Sequence, residues 1–134
     1  MLTLEKNKDR LRVMFKDECI LEHSSDQPFV FVGRGNETIE SYRGNYQIED
    51  RLESRIPLTE AQIIENRCVF SSHGVSVTVE FLIVNQRLTM KFSCNKADVN
   101  RFWIRMKADA GEKVYGCGEQ ASYFNLRNRK YPLW

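Results

Sequence analysis

The residues best suited to chemistry lie together in one run, Glu112 to Trp134: Glu-Lys-Val-Tyr-Gly-Cys-Gly-Glu-Gln-Ala-Ser-Tyr-Phe-Asn-Leu-Arg-Asn-Arg-Lys-Tyr-Pro-Leu-Trp. Two glycines, Gly116 and Gly118, flank Cys117, and an acid and an amide, Glu119 and Gln120, follow at once. Glycines this close allow positive φ or a near approach of backbone to another group. Behind them Tyr123, Phe124, Arg127, Arg129, Lys130, Tyr131 and Trp134 interleave rings with cations. Such a set can hold a sugar ring and its anionic substituent, stack single-stranded bases, or line a domain junction. A glycine-marked bulge followed by a basic surface loop has the same composition. Spacing alone leaves these readings open.

Other chemistries lack partners. Gly116-Cys117-Gly118 misses the third glycine and the strand-to-helix setting of a dinucleotide fingerprint, and there is no Walker loop, hydrolase elbow or metal-helix motif. Cys117 has no sequence neighbour that would lower its thiol pKa. The four cysteines form no C-x-x-C pair, and His23 and His73 stand apart from them, so neither a metal site nor a cofactor is expected. Cys68 and Cys94 fall at alternating strand positions beside Phe70 and Phe92 and read as small buried hydrophobes. His23 and His73 adjoin turns and are expected to face solvent. Glu49, Asp50 and Glu53 read as solvated surface rather than an acid/base pair, because a strand sends neighbouring side chains to opposite faces.

The elements that would position the final run are strands. Leu11, Val13 and Phe15 alternate with polar neighbours, and Cys19 to Glu22 begins a return strand after Asp17-Glu18. Ser24 to Pro28 is a loop by composition. Phe29 to Val32 is a short strand ended by Gly33-Arg34-Gly35-Asn36, and Glu37 to Tyr42 forms a separate segment. Tyr46 to Ile56 mixes period two with helical spacing, and Pro57 closes it. Thr59 and Gln62 match a helix capping box only weakly, so this region is read as a turn leading into strand. The clearest element is a hairpin. Val75, Val77, Val79, Phe81 and Ile83 alternate strictly, Asn85-Gln86 turns the chain, and Leu88, Met90, Phe92 and Cys94 alternate on the way back. Phe102, Ile104 and Met106 mark a last strand. Short strands at this spacing, with almost no helix, predict an all-β fold, a single antiparallel β-sandwich over residues 1–134.

Composition sets the outer limits. The 134 residues suffice for one core, and 42% apolar with 28% charged residues is ordinary for a globular domain. A net charge of +2 argues against a nucleic-acid partner held by a strong field. No apolar run approaches the roughly 20 residues that span a bilayer, and residues 1–10 contain no signal-type apolar segment. No membrane partner is expected, and the cysteine usage suggests a reducing, cytoplasmic setting.

Val114 to Gln120, with Leu126-Arg127 and Tyr131-Pro132-Leu133-Trp134, resembles the end of the N-terminal domain of family 31 glycoside hydrolases. Cys117 and Gln120 to Phe124 are similar to a narrower branch, the sulfoquinovosidases. So are Tyr42-Arg43-Gly44-Asn45-Tyr46, Ile48 to Leu52, Ile56 to Thr59 and Asn100 to Arg105. Asn128-Arg129-Lys130 departs from the pattern, where a glycine often follows the arginine. The resemblance implies a galactose-mutarotase-like sandwich, truncated before the (β/α)8 barrel of a retaining α-glycosidase acting on α-sulfoquinovosides. The two catalytic aspartates would lie in that barrel. The chain alone is therefore expected to be inactive, with the barrel of the same polypeptide and a carbohydrate as its partners. Gln120, Tyr123, Phe124 and Arg129 would be nearest substrate. Gly116, Gly118, Glu119, Arg127, Tyr131 and Trp134 would form the junction, Glu119 and Arg127 through charge-assisted hydrogen bonds. An exposed Trp134 beside Tyr131 and Leu133 would be an apolar patch wanting a partner. An α-glucosidase or α-xylosidase parent, or a free-standing carbohydrate-binding module, is the alternative.

Overall fold

The computed structural model describes residues 1–113. Ten strands occupy them: β1 (Leu2–Asn7), β2 (Arg10–Phe15), β3 (Glu18–His23), β4 (Val30–Tyr42), β5 (Asn45–Pro57), β6 (Glu60–Ile64), β7 (Arg67–Ser72), β8 (Val75–Val84), β9 (Arg87–Cys94) and β10 (Arg101–Ile104). They form three antiparallel sheets, ordered β1-β2-β3, β10-β4-β5 and β6-β7-β8-β9.

Turn chemistry explains why neighbouring strands pair. Every sequential hairpin closes through two residues, and the first of each pair has positive φ: Lys8, Lys16, Arg43, Glu65, His73 and Asn85. Asp17, Gly44, Gly74 and Gln86 are positive as well, which gives primed turns whose twist matches that of the strands. The expected Asn85-Gln86 hairpin is present with Val84 opposite Arg87.

Alternation then builds one core. Val75, Val77, Val79 and Phe81 point inward from β8, Cys68 and Phe70 from β7, Leu11 and Val13 from β2, and Leu21 from β3. Phe29, Val30 and Val32 add the start of β4 to the same cluster. Ring contacts join the layers. Phe70 of the four-stranded sheet meets His23 at 5.0 Å and Phe29 at 5.5 Å, and Phe92 meets Phe102 edge-on at 4.9 Å. The four-stranded sheet is thus faced by both three-stranded ones, a sandwich as the strand spacing predicts.

Several expectations need correction. Gly33 and Gly35 do not end a strand. They lie inside the 13-residue β4, buried where the neighbouring strand and side chains approach closely. A Cβ on Gly33 would sit 2.0 Å from the Ser54 carbonyl oxygen, and one on Gly35 would sit 2.9 Å from that of Arg51. The β4–β5 ladder shifts register beside them, between Arg34 and Gly35, so these glycines mark a bulge within a continuous ribbon. Residues 2–7, to which the sequence pattern assigns no element, form β1, paired from Leu2–Phe15 to Asn7–Arg10. His23 does not face solvent; it is fully buried. Cys94, the last residue of the edge strand β9, is exposed, whereas Cys68 on the interior strand β7 is buried as expected.

Candidate functional site

All ten residues singled out above for substrate or junction, Gln120, Tyr123, Phe124, Arg129, Gly116, Gly118, Glu119, Arg127, Tyr131 and Trp134, lie outside the described residues. The structure shows instead the base from which that run departs.

Departure begins at β10, whose Arg101 to Ile104 pair with Gly33 to Val30. Two side chains fasten this short strand at its ends. At its start Asn100 imitates a peptide: its Nδ2 donates to the Gly35 carbonyl at 2.9 Å, and its Oδ1 accepts from the Gly35 N–H at 3.0 Å. The ladder thereby gains one more pair without a strand residue. At its end Arg105 closes onto the loop before β4. Its backbone N–H donates to the Phe29 carbonyl at 2.8 Å, Nε donates to the Pro28 carbonyl at 3.1 Å, and Nη2 donates to the Gln27 carbonyl. Carbonyl acceptors on a loop give the guanidinium fork a fixed direction. Neither clamp was evident from the sequence, where Asn100 reads as connection and Arg105 as the polar partner in an alternation. Their only sequence signal is membership of the Asn100 to Arg105 match.

From Met106 to Lys113 the described residues form neither helix nor strand. A turn at Asp109 to Glu112 is held by Glu112 N–H donating to the Asp109 carbonyl and Asp109 N–H donating to Glu112 Oε2. Between this segment and the β2–β3 hairpin lies a cavity of about 680 Å3, bordered by Glu18, Cys19, Ile20, Met106, Lys107 and Asp109 among others. Its walls mix thiol, thioether and both charge signs. Among the described residues no group of three or more His, Cys, Asp or Glu side chains could hold a metal ion.

The titratable groups inside the body are structural. His23 accepts from the Phe29 N–H on Nδ1 at 3.2 Å, which leaves Nε2 to carry the proton toward the Thr59 carbonyl at 3.2 Å. Burial pushes its pKa down; the Thr59 hydrogen bond opposes this, and the nearby Arg105 charge adds to it. Both ring nitrogens are occupied by backbone, so the imidazole joins β3, the residue just before β4 and the loop before β6 and has no valence left for a substrate. Burial pushes the Cys68 thiol up to about 12, which removes it as a nucleophile. For Glu22 burial alone would raise the pKa, but the Arg10 and Arg12 guanidinia hold it below the usual range. Glu49, Asp50 and Glu53 are exposed as expected, and Asp50 accepts from Arg101 Nη2 at 2.7 Å.

Comparison with known proteins gives this base a context. No protein-family model matches the chain. The sulfoquinovosidase of Escherichia coli strain K12 is 36% identical over 135 residues, which covers 96% of this chain and 20% of that protein. The sulfoquinovosidase of Agrobacterium fabrum is 34% identical over 131 residues, covering 97% and 19% respectively. A solved GH31 family sulfoquinovosidase from E. rectale, in complex with an aza-sugar inhibitor, superposes with a TM-score of 0.74 at 34% identity, over 98% of this chain and 20% of that one. The chain thus spans about a fifth of the length of the proteins it matches.

Proposed function

We propose that this chain, which belongs with the sulfoquinovosidases of glycoside hydrolase family 31, is the non-catalytic N-terminal β-sandwich of a larger retaining α-glycosidase. One observation carries the reading: 36% identity runs along nearly the whole chain but accounts for only a fifth of the relative. Identity at that level, together with a shared fold, fits a common architecture in which the remaining four-fifths supply the chemistry. The parent would hydrolyse α-sulfoquinovosides, using two carboxylates in a (β/α)8 barrel. The sandwich would brace that barrel and form part of the active-site mouth.

The clamps on β10 support this division of labour. Asn100 and Arg105 fix the strand from which the chain runs toward residue 114, so the direction of departure is set by hydrogen bonds to backbone. In this reading Gly116, Gly118, Glu119, Arg127, Tyr131 and Trp134 meet the barrel, and Gln120, Tyr123, Phe124 and Arg129 lie nearest the sugar. A cytoplasmic location agrees with the free thiols of Cys19, Cys68 and Cys94.

The test compares the 134-residue chain with a polypeptide that continues into a barrel, assayed on a chromogenic α-sulfoquinovoside and the matching α-glucoside. The longer protein should turn over the sulfonated substrate in preference, and the chain alone should turn over neither. Calorimetry on the chain alone separates the rival reading. Millimolar or tighter binding of sulfoquinovose would make it a carbohydrate-binding module and overturn the bracing role.

A further inference from the structure

The outer face of the β10-β4-β5 sheet has a charge order that is complementary to itself. Beyond the bulge β4 and β5 run on as a two-stranded ribbon from Gly35 opposite Leu52 to Tyr42 opposite Asn45. A two-stranded ribbon has little stability of its own in water. This one nevertheless exposes large apolar side chains, with Ile39 59%, Tyr46 72% and Leu52 48% accessible.

Register arranges the face in rows. Nearest the body Trp103, Phe31 and Pro57 lie side by side, followed by Arg101, Gly33 and Arg55. The next row is Gly35 with Leu52, then Glu37 with Asp50, then Ile39 with Ile48. On β4 residues two apart share a face, and the bulge, with Glu53 as the extra residue of β5, brings Leu52 into the same series three residues from Arg55, so along β4 these rows stand about 6.8 Å from one another. From body to tip the order is apolar, cationic, Leu52, anionic, apolar.

The cation in this series is already organised. The Arg55 guanidinium lies over the Phe31 ring at 4.5 Å and the Trp103 ring at 5.1 Å. Arg55 is exposed and has no hydrogen-bond or ion-pair partner among the described residues. Two rings thus hold a planar fork of donors in place and leave its edge free, an arrangement suited to a carboxylate. On the anionic row Asp50 uses Oδ1 for Arg101, and its side chain is still 54% accessible.

We infer that this face docks on a second copy of the same chain, the two ribbons running in opposite directions about a two-fold axis through the Leu52 row. Rotation about an axis lying across the strands sets β5 on β5. It puts Arg55 of each copy on Asp50 of the other, Phe31 and Pro57 on Ile39 and Ile48, and Leu52 on Leu52. The interface is isologous, so each favourable pairing occurs twice. Arg and aromatic side chains on a flat surface suit a protein partner better than a small ligand, which needs concavity. The inference does not depend on the glycosidase reading.

Sedimentation velocity on the 134-residue chain over a concentration series, with circular dichroism to confirm folding, tests it. The wild-type chain should form a dimer that weakens with added salt. Arg55→Glu and Asp50→Lys should each raise the dimer dissociation constant at least about tenfold, since each places like charges together at both contacts. An equimolar mixture of the two variants should recover dimer, because both contacts then pair opposite charges. Leu52→Asp, which meets its own copy on the axis, should give monomer without touching either ion pair. A wild-type chain that stays monomeric at every concentration overturns the proposal and leaves the face to another part of the polypeptide. So does a dimer that these reversals leave intact, or variants that fail to recover on mixing.

Discussion

Acid should destabilise this domain through His23, and the effect has a defined direction. The imidazole is fully buried and neutral, with Phe29 N–H donating to Nδ1 and Nε2–H donating to the Thr59 carbonyl. Its folded pKa lies below the ordinary histidine value of 6.5, burial being the main cause. In the window between that lowered value and 6.5 the unfolded chain binds a proton that the folded chain refuses. Folding stability is therefore complete above pH 6.5 and declines as the pH falls through the window, levelling off below the folded value. The steepest slope one such group can give is about 1.4 kcal/mol per pH unit. Protonation would also turn the Phe29 acceptor into a donor facing a donor. The assay is urea denaturation from pH 8 to pH 5 on the wild type and His23→Leu. The variant leaves a buried N–H and a buried carbonyl without partners, so it should lose about 2–5 kcal/mol at pH 8. It should also lose the His23 contribution to the slope. If wild type and variant show the same pH slope, or the wild type gains stability on acidification, the buried-neutral assignment is wrong.

Gly33→Ala should destabilise the fold by about 2–4 kcal/mol, read from the denaturation midpoint, because its Cβ would stand 2.0 Å from a main-chain oxygen that belongs to the paired strand. Asn100→Ala removes both hydrogen bonds to Gly35 and should cost about 1–3 kcal/mol, with amide exchange at Gly35 rising more than in the β8–β9 hairpin. Thiol titration should separate the cysteines: Cys94 should react in the native protein, and Cys68 only after unfolding, since it is buried with its pKa pushed up to about 12. Arg105→Ala should leave the core intact yet loosen residues 24–29, seen as faster exchange at Phe29 and a small fall in thermal midpoint.

What the sequence determined by itself was local. Strict alternation from Val75 to Cys94 specified a hairpin because side chains on a strand change face at every residue, and the Asn85-Gln86 pair tolerates positive φ. The same rule marked β2, β3, β7 and β10, and together these gave the all-β class. The run from Val114 to Trp134 pointed to the family, and the matched runs at 42–46, 48–52, 56–59 and 100–105 pointed to its sulfoquinovosidase branch. Glycine, however, has two meanings in a sequence. Gly33 and Gly35 read as a chain break, and only the closeness of Ser54 and Arg51 shows that they admit a neighbouring strand. His23 shows the same limit, since its burial depends on Thr59, Phe29 and Phe70, residues that tertiary packing alone brings to it. The clamps by Asn100 and Arg105 and the stacking of Arg55 over Phe31 and Trp103 likewise join positions far apart in the chain. Propensity and pattern act over a few residues, whereas these contacts exist only once the sheets have closed on one another.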